Sequence, residues 1–207
     1  MILTAKKLDL PRVWTLAVAS IAFACVVAAG APLHAAVVEA DPAHRQGSLA
    51  APDDATSFQL EASRLHTAEI TLARAIEIAV QHRAGSRVVD VSFDGTAASP
   101  MFRVLTASGN RIVEDHVNAS TGAIDDSSIF SELDELDEGD RRNVKSLLRS
   151  KLNLSDAVRV AEKQTSGLAV GAGLLRVDGR LRFGVVVLTG DRLTQVILDP
   201  PRRSTTR

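Results

Sequence analysis

Apolar residues recur along this chain with two different periods, and the switch from one period to the other happens twice. ITLARAIEIAVQHRAG, from Ile70, places Leu72, Ala75, Ile76 and Ala79 at i, i+3, i+4 and i+7, the single stripe of an amphipathic helix. LNLSDAVRVAEKQTSG, from Leu152, places Leu154, Ala157, Val158 and Ala161 at the same spacing, a constant offset of 82 from Leu72 to Leu154. Thr71 and Asn153 precede the two stripes, and both residue types make good N-caps. Gly85 and Gly167 follow them, where a left-handed C-terminal residue is favoured.

Beyond each helix the period becomes two. In the first unit RVVDVSFDG puts Val89, Val91 and Phe93 on one face, and MFRVLTA and RIVEDHVN follow, separated by turn residues such as Gly109-Asn110. In the second, VGAGLLRV leads to the hairpin signal Asp178-Gly179, LRFGVVVL runs to Gly190-Asp191, and LTQVIL completes the unit. Both units read helix, strand, strand, strand. The expected fold is α+β: two repeats, each one helix packed on a three-stranded antiparallel sheet, the helix stripe covering the sheet's apolar face. Each unit is small, about 50 residues, so packing of one on the other is expected.

The rest of the chain reads as connection and address. Residues 1–36 have the layout of an export signal: Lys6, Lys7 and Arg12, an uncharged run from Val13 to Ala31, then small residues with cleavage points near Ala29, Ala35 or Ala36. Export would place the chain in the periplasm or outside the cell. The alternative is an uncleaved inner-membrane anchor, which would make the chain a membrane-tethered sensor or assembly factor of the envelope and is the one route by which a membrane becomes a partner. Residues 37–66 are rich in Ala, Pro and Asp and read as a flexible linker, with a short helix over 58–69. Between the units, at 67–125 and 152–200, residues 126–151 are expected to form a charged linker helix, acidic first and basic last, in accord with its dipole. Residues 201–207 are a basic tail.

Composition narrows the chemistry. The formal net charge is −1, and six Phe, one Trp and no Tyr leave little for base stacking, so nucleic acid is not an expected partner. Cys25, the single cysteine, lies inside the export segment, so a cleaved chain has neither disulfides nor a thiol nucleophile. His44, His66, His82 and His116 lack metal-ligand spacing, and there is no phosphate loop, nucleophile elbow or dinucleotide fingerprint. Around Gly139 an EF-hand register would put Leu136 at a ligand position, which excludes that site. VGAGLL, with G-x-G but no third glycine, reads as close backbone packing. No catalytic residue, metal site or cofactor is expected.

ITLARAIEIA at 70–79, FRVLTASGNRIVEDHVNASTGAI at 102–124 and LNLSDAVRVA at 152–161 together resemble the PepSY domain, as two tandem copies over about two-thirds of the chain beyond the export signal. The first copy has Asn118 where Asp is usual. The second keeps Asp199 but replaces Thr-Gly with Pro200-Pro201. The resemblance implies an exported, non-enzymatic module that binds a protein partner, a peptidase it inhibits or another envelope protein, with no catalytic residues to carry over. It also decides between two readings of VNASTGAI. Asn118-Ala119-Ser120 matches a glycosylation acceptor, but Asn118 falls at the strand end, where it can bond its own backbone while Gly122 takes a positive φ.

Overall fold

The computed structural model describes residues 35–38 and 52–199, the export segment before Ala35, residues 39–51 and the tail from Pro200 lying outside them. Helices α1 (Pro52–His66), α2 (Leu72–His82), α3 (Glu138–Leu148) and α4 (Leu154–Thr165) accompany eight strands. These are β1 (Ala35–Val38), β2 (Arg87–Asp94), β3 (Met101–Ser108), β4 (Arg111–Asn118), β5 (Ile124–Glu132), β6 (Leu168–Val177), β7 (Arg180–Thr189) and β8 (Arg192–Leu198). All pair antiparallel in one sheet of order β1-β8-β7-β6-β2-β3-β4-β5, seven of them in the body from Arg87 to Leu198, with short β1 beside β8.

The α+β class therefore stands, but the expected pair of separate three-stranded sheets does not. The first strands of the two meanders, β2 and β6, pair with each other through Asp90–Gly173, Val91–Ala172 and Ser92–Gly171. Two free edges would each present unpaired backbone groups, and joining them satisfies both and makes one core of two marginal ones.

The joint has internal symmetry. The β2–β3 register steps from Val88 to Asp90 and the β6–β7 register from Ala169 to Gly171, so Val89 and Val170 are the bulged residues, offset by 81. At that offset Asp90–Gly173 maps onto Ser92–Gly171 and Val91–Ala172 onto itself, which puts a pseudo-two-fold axis through the last pair. The same shift of 81 relates Gly109 (φ 58°) to Gly190 (φ 61°), and Phe102 of β3 to Phe183 of β7, the strands that flank the central β2–β6 pair. Helices keep the offset of 82, from N-cap Thr71 to N-cap Asn153, so one residue is lost at the end of α4.

That loss corrects the reading of Gly167. The left-handed residue after α2 is Gly85 (φ 84°), whereas after α4 it is Ser166 (φ 52°), one position before Gly167. Gly167 serves close approach instead, since a Cβ there would sit 2.5 Å from the carbonyl oxygen of Leu188.

Helices α2 and α4 pack side by side on one face of the sheet, α2 over β2 to β4 and α4 over β6 and β7. Their stripes meet Val91, Phe102, Val104, Phe183 and Val185, all buried. Phe93 and Phe102 lie with ring centroids 5.3 Å apart across the β2–β3 pair. α3 packs on the same central strands from the other side. Both faces of β2 are consequently covered, and six of its eight residues are buried, not alternate ones.

Two connecting segments differ from expectation. The first part of residues 126–151 is strand β5, not linker helix; a 3-10 turn at Leu133–Glu135 follows, and α-helix is confined to Glu138–Leu148, with Gly139 in its first turn and Asp137 Oδ1 accepting from Asp140 N–H at 2.8 Å. The turn after Asn118 sends the chain straight back along β4, whose outer edge would otherwise be open. In the 37–66 linker, Pro52–His66 is helix α1, which starts six residues before and ends three residues short of the helix expected over 58–69, so the flexible reading fails from Pro52 on.

Candidate functional site

The predicted turn and cap residues form a set of chain reversals. The Thr71 hydroxyl accepts from Arg74 N–H at 3.2 Å and caps α2. Asn153 occupies the N-cap of α4, but its Oδ1 accepts from Arg87 Nη1 at 2.8 Å and makes no capping bond. Asn118 Oδ1 accepts from the N–H groups of Ser120 (3.0 Å) and Thr121 (3.1 Å), Gly122 N–H donates to Asn118 O at 2.9 Å, and Gly122 has φ 73°. A Cβ on Gly122 would meet Ile78 Cδ1 at 3.1 Å and Ile70 Cδ1 at 3.2 Å, so the turn is also sealed against α2. These residues are spread over both units and do not converge.

Polar side chains converge elsewhere, in the first unit. Ser92, Arg103, His116 and Asp126 are successive cross-strand neighbours on β2 to β5, and Asp90, Leu105, Glu114 and Ser128 form the row beside them. Arg103 Nε donates to Glu114 Oε1 at 2.7 Å, and His116 Nε2 lies 2.8 Å from the same oxygen, the diagonal contacts a pleated face allows. His116 Nδ1 is 3.9 Å from Asp126 Oδ2. Burial alone would raise the Glu114 carboxyl, but hydrogen bonds from Arg103 and His116 outweigh it and hold the carboxyl below its ordinary range. The hydrogen bond to Glu114 raises the Arg103 guanidinium further, so this is a permanently charged pair. Arg103 keeps 44% of its side chain exposed. The result is a fixed, partly solvated polar ladder on the face opposite α2.

Beneath the ladder lies Asp90, buried, with Oδ2 lacking any hydrogen-bond partner. Burial pushes its carboxyl up to about 8, against the pull of Arg103 and with the help of Asp140 and Glu114. On the helix side of the same unit, Arg83 grips Asp115 through Nε (2.9 Å) and Nη2 (2.8 Å), and the Ser127 hydroxyl donates to Asp115 as well. That hydrogen bond from Arg83 ties β4 to the end of α2, and Ser127 ties β5 to β4. A cavity of about 240 Å³ opens between α2 and the start of α4, lined by Ile76, Gln81, Arg87, Leu152 and Asn153 among others. Among the described residues no group of three His, Cys, Asp or Glu side chains is placed to hold a metal ion.

The outer boundary of the first unit is β5, the last strand of the sheet. Its burial is low along most of its length, and Ile129 is 64% exposed, the most exposed large apolar side chain of the described residues. Asp125 and Asp126 precede Ile129 and Glu132 follows it, while register shifts interrupt pairing to β4 at both ends.

None of Arg83, Asp90, Arg103, Glu114 and Asp115 stands out in the sequence. The one signal of the four on strands is a charged residue inside a period-two run, as in RVVDVSFDG and MFRVLTA, while Arg83 closes α2. In a half-exposed strand such a charge belongs to the solvent face, and only the second layer on that face turns it into a buried group.

No family model matches the chain, and no curated protein matches it. Among solved structures it is similar to a provisionally named lipoprotein of Clostridium difficile 630, at 16% identity over 67% of this chain and 90% of that one, with a TM-score of 0.40. Likeness at that level supports no functional transfer. No helix of the described residues is long and apolar enough to cross a membrane.

Proposed function

We propose that this chain is an exported, non-enzymatic binding module of the bacterial envelope, which takes an extended segment of a protein partner along the β5 edge of its first unit. The observation that carries this reading is β5 itself: nine residues, sheet neighbour on one side only, an apolar Ile129 exposed at its middle and carboxylates around it. Strand addition supplies affinity through main-chain hydrogen bonds and needs few special side chains. Acidic residues and bulges disfavour pairing of this edge with itself, and favour a partner segment that carries Lys or Arg.

The PepSY resemblance favours a peptidase, restrained without turnover of the module, over another envelope protein as that partner. Purified protein beginning at Val37 is expected to slow a bacterial metallopeptidase and to remain intact after prolonged incubation. Ile129→Asp is expected to abolish the effect while leaving the circular dichroism spectrum unchanged. Absence of binding across a panel of such enzymes would remove the peptidase from the proposal, and unaltered binding by Ile129→Asp would remove the edge.

A further inference from the structure

The two units are joined within the sheet by three residue pairs of β2 and β6, and the only ionisable side chain among those six residues is Asp90. Its partner is Gly173, where a Cβ would lie 2.5 Å from Asp90 Oδ2, so the carboxyl rests against bare backbone and no side chain can replace that contact. Oδ2 has no hydrogen-bond partner. The charged groups that face it are Arg103 from β3, Glu114 from β4 and Asp140 from α3, while β6 offers only Gly171, Ala172 and Gly173. Arg103 is bound through Nε to Glu114 at 2.7 Å and acts on Asp90 only through its charge, with no hydrogen bond to it.

We infer that the β2–β6 joint is a proton-controlled latch, shut while the Asp90 carboxyl is neutral and loosened when it ionises. A neutral acid can be buried against Gly173 at modest cost, whereas a carboxylate there would be a desolvated charge without a dedicated partner. Separation of the two strands admits water to that charge and relieves it. The latch concerns the joint between units, and it holds whatever partner β5 takes.

The sign follows from linkage. In the open joint Asp90 titrates near its ordinary 3.8 and in the closed joint near about 8, so the closed form holds the extra proton between those values. Backbone hydrogen exchange at residues 90–92 and 171–173, corrected for intrinsic rates between pH 5 and 9, reads the opening directly. Opening is expected to increase by about tenfold per pH unit up to about pH 8 and to level off above it. Asp90→Asn is expected to show no such slope. A ¹³C titration of the Asp90 carboxyl in the unaltered chain gives a reading that does not depend on the variant folding. Parallel pH profiles in the two proteins, or a carboxyl that titrates near pH 4, would overturn the latch.

Discussion

The two halves of the sheet share a backbone plan and have diverged in what they bury. At the strand offset of 81, Asp90, Arg103, Glu114, Asp115 and His116 of the first unit correspond to Gly171, Gly184, Gln195, Val196 and Ile197 of the second. One half closes its sheet with charged pairs and ladders, the other with glycine and aliphatic packing. The edges differ too, since β5 is open on its outer side while β8 lies beside β1. The second unit builds the same backbone with uncharged residues at these five positions, and keeps its own ion pair, Arg182–Asp199, elsewhere on β7. Under the proposal above, recognition falls to the first unit and the second serves as its scaffold.

The sharpest way to break this contrast is to give the first unit the interior of the second. Asp115→Ala leaves Arg83 and Ser127 without their shared acceptor, and is expected to cost roughly 2–4 kcal/mol, less than for a fully buried pair because Arg83 is partly exposed. Arg83→Met combined with Asp115→Val, which copies Val196, is expected to recover most of that loss in thermal denaturation. Failure of the double variant to recover would mean that the charges are structural after all.

Next in size is the turn that only the first unit retains. Gly122→Val meets both a positive φ and two isoleucine methyls, and is expected to lower stability by about 2 kcal/mol. Gly109→Ala, with positive φ but open space around it, should lose about half as much. Equal losses in urea unfolding would show that the packing of Ile70 and Ile78 on the turn contributes nothing.

The pH response should also belong to the first unit. Glu114 is held below its ordinary 4.5, so its stabilising contribution is complete above that value and disappears as pH falls through its lower folded pKa. Asp90 is raised from 3.8 to about 8, so it destabilises progressively as pH rises between those values. Stability is expected to peak near pH 4–5, by arithmetic from the same shifts, with an alkaline limb on the order of 1 kcal/mol per pH unit that Asp90→Asn removes. A stability profile flat from pH 5 to 8 in the unaltered chain would contradict this. The smallest effect concerns the exposed contact between the helices, where Arg159 of α4 pairs with Glu77 of α2. Glu77→Ala is expected to change stability by less than about 0.5 kcal/mol.

Local periodicity makes the helices and most strands legible, because the 3.6 and 2 periods survive in the residues themselves. ITLARAIEIA and LNLSDAVRVA carry their stripes whole, and VNASTGAI carries its turn in Asn118 and Gly122. What periodicity lacks is any mark of edge-to-edge pairing, so the single sheet is hidden: VVDVS and VGAGL look like ordinary strands whether or not they meet. IDDSSIFSE has too many polar residues to declare a strand, because an edge strand with one neighbour need bury little. The buried Asp90 was hidden for a related reason, since its carboxyl is covered only once α3 folds over that face of β2.

Recognition by the first unit is tested most directly by photo-crosslinking in cells that export the full chain, with a photoreactive residue at Ile129 of β5 or at Leu193 of β8, the latter 39% exposed in the second unit. A protein partner captured from position 129 and absent from position 193, and lost when Asp125 and Asp126 are changed to Lys, is the predicted result. Capture from position 193 alone, or equal capture from both, would contradict the assignment of recognition to the first unit.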